Sequence, residues 1–211
     1  MDPVFQGKVG RRSHKQAPNV LTTLGVLWYV CDIAHSLHGF PMKDLRNDIT
    51  TCFDAKQIPA PDQFVKRDGF DPFEKEDAVK FFSGKSWNDV LDHLNSLENT
   101  MIFGADYHLE EWSVLEPKPR YYYLRAFLEF LLETLSKDDP DEQFVSDLFH
   151  QLYQTIYMYK YDAYNVLQEA VLRNVAAYAT IVVEEHKGFD NWRDDIIDNI
   201  NRFLFELEKH G

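Results

Sequence analysis

Histidines and carboxylates gather at three places in this 211-residue chain. His35 and His38 lie three apart, with Asp32 one helical turn before His35, so a helix would put imidazole and carboxylate donors on adjoining surface, as a transition-metal site requires. A further strong ligand would have to come from elsewhere, and without one a solvated cluster near a helix end is the plainer expectation. Asp106, His108, Glu110 and Glu111 form the second group. Carboxylates beside an imidazole serve acid–base chemistry where burial drives their pKa values apart. The competing expectation is a solvated loop. Glu184, Glu185 and His186 form the third group, which helix-end solvation explains, with His186 and Lys187 placed for the negative end of the helix dipole. No GxSxG, HExxH, GxxxxGK or GxGxxG pattern occurs, so the common enzyme classes lack their machinery. We expect no resident cofactor or metal, with Asp32, His35, His38 and His108 as the leading metal-ligand candidates and Glu184, Glu185 and His186 behind them.

Charge and aromatic content give a different candidate. The net charge is −13 and the pI near 5.0, which opposes binding to phosphate backbones or anionic membranes and favours encounter with a basic protein. Asp138, Asp139, Asp141, Glu142 and Asp147 concentrate that charge just ahead of the run YQTIYMYKYDAY, in which Tyr153, Tyr157 and Tyr161 occupy more than one helix face. Tyrosine suits interfaces because it joins a large apolar area to a polar tip. These eight residues are the expected partner-binding set. The competing expectation is tyrosines in helix seams and charges that solvate a loop.

The elements that must position these residues follow from hydrophobic spacing. Residues 1–19 carry Lys8, Arg11, Arg12 and Lys15 against Asp2 and are expected to form a basic arm. Val20 to Leu37 has helical spacing, although GVLWYVC is also rich in strand formers, and its polar interruptions argue against a signal peptide or a membrane span. Cys31 and Cys52 form no CxxC unit, which suits reduced thiols in a cytoplasmic protein. Met42 to Phe53 predicts a helix, and the prolines and glycine of residues 54–72 mark a boundary between two lobes of one domain spanning residues 20–211. Pro72 opens a short helix closed by Gly84, and Ser86 with Asp89 reads as a capping box for the next. Residues 99–118 are expected to be the least regular part of the body. Beyond them, stripes over Tyr123–Leu135, Phe144–Tyr159, Val166–Val182 and Ile196–Leu207 predict four amphipathic helices, the third stopped by Gly188. The expected fold is mainly α, an antiparallel or orthogonal C-terminal bundle with a smaller helical N-terminal part.

Between Val79 and Leu135 the chain carries Phe82, Gly84 and Trp87, and then Tyr122, Tyr123, Leu124, Ala126, Phe127 and Leu128. This resembles a family of small uncharacterised bacterial domains with an F-x-G-x-x-W element and a YYL-x-A-F-L helix. Arg125 stands where that pattern has proline. The resemblance implies a bacterial origin and a mostly helical fold, and brings no activity with it. Charge, helicity and the missing catalytic motifs together lead to the expectation of a non-enzymatic bacterial interaction protein, an immunity or antitoxin-type inhibitor of a basic toxin or nuclease. The alternatives are an enzyme with an unfamiliar His/carboxylate site, metal-dependent or not, and a DNA-mimic inhibitor.

Overall fold

The protein is described by a computed structural model covering residues 42–60, 62, 64, 72–97, 104–159 and 164–210. Within them the fold is all-helical: α1 Met42–Cys52, α2 Pro72–Phe82, α3 Trp87–Ser96, α4 Ala105–Ser113, α5 Pro117–Thr134, α6 Glu142–Tyr159, α7 Val166–Glu185 and α8 Arg193–His210, with a 3-10 turn at Lys187–Phe189 before α8. The segment expected to be helix or strand, Val20 to Leu37, and the basic arm lie outside the described residues.

Local sequence explains the helix ends. Gly84 has φ +74°, a left-handed conformation that side chains resist, so α2 stops there and the chain turns into α3. The Ser86 hydroxyl accepts the Asp89 N–H, and the Asp89 carboxylate accepts the Ser86 N–H at 2.7 Å. That reciprocal pair is the expected capping box. Pro117 and Pro119 sit in the first turn of α5, where the missing N–H groups would have had no intrahelical partner. The helix therefore starts at Pro117, six residues before the Tyr123 at which the apolar stripe begins.

One expectation is corrected. Residues 99–118 are not uniformly irregular, because Ala105, Leu109 and Trp112 lie at helical steps and are 3, 1 and 0% exposed. Together they form the buried face of α4. The stripe is only three residues long and is diluted by the acidic face, so packing rather than pattern secures the helix.

Helix α5 is the axis of the molecule, and fourteen of its residues are buried. Arg46 of α1 meets Glu133 at 3.4 Å, and Thr50 meets Arg125 at 3.1 Å, so α1 lies antiparallel to α5. Phe130 packs edge-on to Phe144 at 4.8 Å while Arg120 reaches Thr155 at 3.2 Å, which makes α6 antiparallel to α5 on another side. Consecutive helices α6, α7 and α8 alternate in direction, as the bundle expectation requires. In consequence α6 and α8 lie parallel, joined by Ser146–Asn199 at 3.0 Å and by the Phe149 and Phe203 rings at 6.0 Å. Gln168 of α7 donates to the Cys52 carbonyl at 3.1 Å, which ties α1 to the bundle. One hydrophobic cluster runs from Leu45 of α1 to Leu207 of α8, so α1 shares its core with the C-terminal helices across the expected boundary.

By length and composition α7 is apolar enough to cross a membrane, but eight of its residues are buried against the other helices.

The residues that carry the family resemblance are packing residues. Phe82, Tyr123 and Phe127 form an aromatic stack, and the Tyr123 hydroxyl donates to the carbonyls of Phe82 at 2.8 Å and Lys85 at 3.0 Å. Burial pushes this phenol's pKa up. Tyr123→Phe should cost about 1 kcal/mol by removing the hydroxyl's share of the bonding to the Phe82 and Lys85 carbonyls, the first of which keeps the Lys85 N–H. Urea unfolding checks this, and an unchanged midpoint would show those carbonyls to be satisfied without the hydroxyl.

Candidate functional site

The acidic residues at the start of α6 acquire neighbours that are distant in sequence. Asp141 caps α6, its carboxylate accepting the Phe144 N–H at 2.9 Å. The Glu142 carboxylate accepts the Trp192 N–H at 3.1 Å, which brings the chain entering α8 against the N-terminus of α6. Pro140 and Gly188 are in closer contact still: a Cβ on Gly188 would lie 2.6 Å from Pro140 Cδ. The α5–α6 connection with Asp138 and Asp139 therefore shares one edge with Asp190, Asp194 and Asp195, all exposed. Arg193 pairs with Asp190 at 2.7 Å and donates to the Val183 carbonyl at 3.1 Å, closing the end of α7. Asp138, Asp139, Asp194 and Asp195 have no ion pair among the described residues. Trp192, whose backbone N–H is held by Glu142, belongs to the same connection and is 37% exposed.

Sequence reasoning found half of this edge and missed Asp190, Trp192, Asp194 and Asp195. Their local signal is the acidic first turn of α8, which the helix dipole favours in any protein. Nothing local shows that two helices start side by side.

Of the tyrosines expected to join this surface, Tyr153 and Tyr157 lie away from it. Tyr153 lies eleven residues along α6 from Glu142, about 17 Å at helical rise. Tyr153 and Tyr157 stack on each other at 5.7 Å, with Tyr157 53% and Met158 61% exposed, so they form a separate aromatic surface towards the other end of α6. Asp147 is half-buried on α6, and Tyr161 lies outside the described residues.

The second sequence candidate becomes a packed corner of α2, α3 and α4. His108 is 7% exposed and its Nδ1 lies 2.6 Å from Glu111 Oε2, itself 7% exposed. The His108 ring stacks on Phe81 at 3.9 Å and meets the edges of His93 at 5.1 Å and Tyr107 at 5.6 Å. Tyr107 donates to Asp77 at 3.4 Å. Glu111, Asp77, Tyr107 and the exposed Glu110 border an open cavity of about 350 Å³. Burial lowers the pKa of Lys85, opposed by Glu111 and Asp89, and its ammonium sits 4.0 Å above the Phe81 ring. Asp106 is on α4, its side chain outside those described.

Among the described residues no group of three His, Cys, Asp or Glu side chains converges to hold a metal ion. His108 is paired with one carboxylate, while Asp32, His35, His38 and Cys31 lie outside the described residues. His186 has a structural role: its Nδ1 accepts the Gly188 N–H at 3.0 Å and caps the 3-10 turn. Glu184 and Glu185 are exposed at the end of α7.

Substitutions should separate the residues that build the edge from those it presents. Gly188→Ala should cost about 1–3 kcal/mol through overpacking against Pro140, and Asp141→Ala about 1 kcal/mol through the lost cap. Asp138→Ala and Asp139→Ala should leave thermal stability unchanged. Calorimetry on the four variants checks this, and a tolerated Gly188→Ala would mean that the two connections do not touch. No protein-family model, curated protein or solved structure matches the chain.

Proposed function

We propose that the protein is a non-enzymatic bacterial interaction protein, an immunity or antitoxin-type inhibitor, which binds a basic toxin or nuclease through the acidic edge shared by α6 and α8. The observation that carries this reading is the seating of the connection into α8 against the start of α6, through Trp192 N–H on Glu142 and Gly188 on Pro140, which brings exposed Asp138, Asp139, Asp194 and Asp195 and the partly exposed Trp192 to one edge. Tryptophan is a common anchor of protein interfaces, and like charges around it steer an oppositely charged partner and set the register of docking. The net charge of −13 extends that field beyond the contact itself. Carboxylates held apart from internal cations keep their charge available for a partner's lysines and arginines.

The packing of His108 weighs against the enzymatic alternative. Its ring lies stacked on Phe81 and against two further aromatic edges, and its Nδ1 is taken by Glu111, the surroundings of a satisfied core histidine. The DNA-mimic alternative uses the same acidic edge and differs in the surface of the target that is covered.

Asp138→Lys with Asp139→Lys, and Asp194→Lys with Asp195→Lys, should each weaken binding to the basic partner captured from a native lysate by about tenfold or more at low salt, and flatten its salt dependence. Trp192→Ala should speed dissociation at every salt concentration. Titration calorimetry with the purified partner measures both, and unchanged affinity in the two charge-reversed variants would overturn the reading. A target released by competing duplex DNA would move it to the DNA-mimic form.

A further inference from the structure

Phe73, Glu74 and Asp77 lie at steps of one and three on α2, and Tyr107, Glu110 and Glu111 at steps of three and one on α4, spacings that hold each trio on one face of its helix. Tyr107 donates to Asp77 at 3.4 Å, which seats the two faces together around the open cavity of about 350 Å³. Four carboxylates and two aromatic rings therefore border one space. Phe73 is 76% exposed, whereas Glu111 is only 7% exposed. The Glu111 Oε2 is taken by His108 at 2.6 Å, and its Oε1 accepts from no donor among the described residues. A carboxylate oxygen so far removed from bulk water is costly to leave without a donor, and the cavity is where a donor can reach it. Among the described residues no lysine or arginine comes within ion-pair distance of Glu74, Asp77, Glu110 or Glu111.

We propose that the α2–α4 cavity binds an aliphatic polyamine, whose ammonium groups meet the carboxylates while its methylene chain lies against Phe73 and Tyr107. Charge sets the sign of the ligand, and spacing sets its shape. The carboxylates border a common cavity without three of them converging as metal ligands, so they suit cationic groups held apart along a chain. The rings supply apolar contact for the chain and a negative face for its ammonium ends, and the buried Glu111 supplies the strongest single acceptor. Partial burial first, then Glu111, Asp77 and Glu110, push the pKa of the Tyr107 phenol up, as a ring set in the field of these carboxylates requires. The cavity uses no residue of the acidic edge on α6 and α8, so this binding stands apart from the partner surface proposed above.

Titration calorimetry of the full chain with spermidine at low salt tests this, and should show saturable binding of one molecule per chain. The shorter 1,4-diaminobutane should bind more weakly, and n-butylamine more weakly still. Glu74→Gln with Glu110→Gln, both at exposed positions, should weaken spermidine about fivefold to tenfold, and Phe73→Ala about twofold to fivefold. Glu111→Gln should weaken it about tenfold or more. Asp138→Asn with Asp139→Asn removes the same amount of charge as the Glu74 and Glu110 pair and should leave the affinity unchanged. Equal weakening by these two charge-matched pairs would overturn the proposal, because the general acidic field would then account for the binding. Absence of saturable heat would overturn it too, as would tighter binding of a tri-lysine peptide than of spermidine, which would assign the cavity to the lysines of a protein.

Discussion

Burying α5 on every side imposes the condition that the other helices meet. A helix packed all round must give each of its charged side chains a partner, because an isolated charge taken out of water costs several kcal/mol, and α5 carries Arg120, Arg125 and Glu129 among its buried residues. Arg120 is answered by α4 and α6, while Arg125 and Glu129, 3.9 Å apart, are both answered by Thr50 of α1. The Arg120 guanidinium donates to the carbonyls of Ser113 and Leu115 at the end of α4 and to Thr155 of α6, and burial pushes its pKa down to about 10, leaving it charged at neutral pH. Arg125 lies 3.5 Å from the ring centre of Trp87 at the start of α3 and bonds Thr50 of α1. Burial raises the pKa of Glu129, opposed first by Arg46 of α1. The three charges thus specify where α1, α3, α4 and α6 dock, and apolar area supplies most of the driving force. Arg125 connects both α1 and α3 to the axis.

This arrangement leaves different chemistry at different parts of the bundle. Because α6 and α8 run parallel, their starts lie together, and both starts favour acidic side chains through the helix dipole. Asp141 and Glu142 are consumed in building that edge, and Asp138, Asp139, Asp194 and Asp195 remain at its surface. Further along α6, Tyr157 and Met158 present an aromatic and apolar surface. The corner formed by α2, α3 and α4 is neither of these. It is an aromatic seam with titratable groups built into it.

Much of the architecture is legible because the signals are local and repeated. The stripes from Tyr123 to Leu135 and from Ile196 to Leu207 recur over several turns, and Ser86 with Asp89 caps a helix through groups three residues apart. The short helix α4 escaped because three apolar residues are too few to show a period, and Asp106 to Glu111 dilute them. The acidic edge was half legible for a related reason. Asp138 to Glu142 form a dense run, whereas Asp190, Asp194 and Asp195 read as an ordinary helix start. The tyrosines were assigned to the acidic surface because they are near it in sequence, yet eleven residues of helix are about 17 Å of distance.

The amino-acid sequence by itself determined the mainly α class, the order of the four C-terminal helices, the cap of α3 and the acidic character of the chain, since each depends on side-chain type and short-range spacing. Only the tertiary structure decided that α6 and α8 begin side by side, that α7 ends at the extended His186 while Gly188, expected to stop it, instead makes room for Pro140, and that His108 is enclosed by Phe81, His93 and Tyr107. Those are contacts between residues far apart in the chain. Their geometry follows from how the helices close around α5, which no local pattern records.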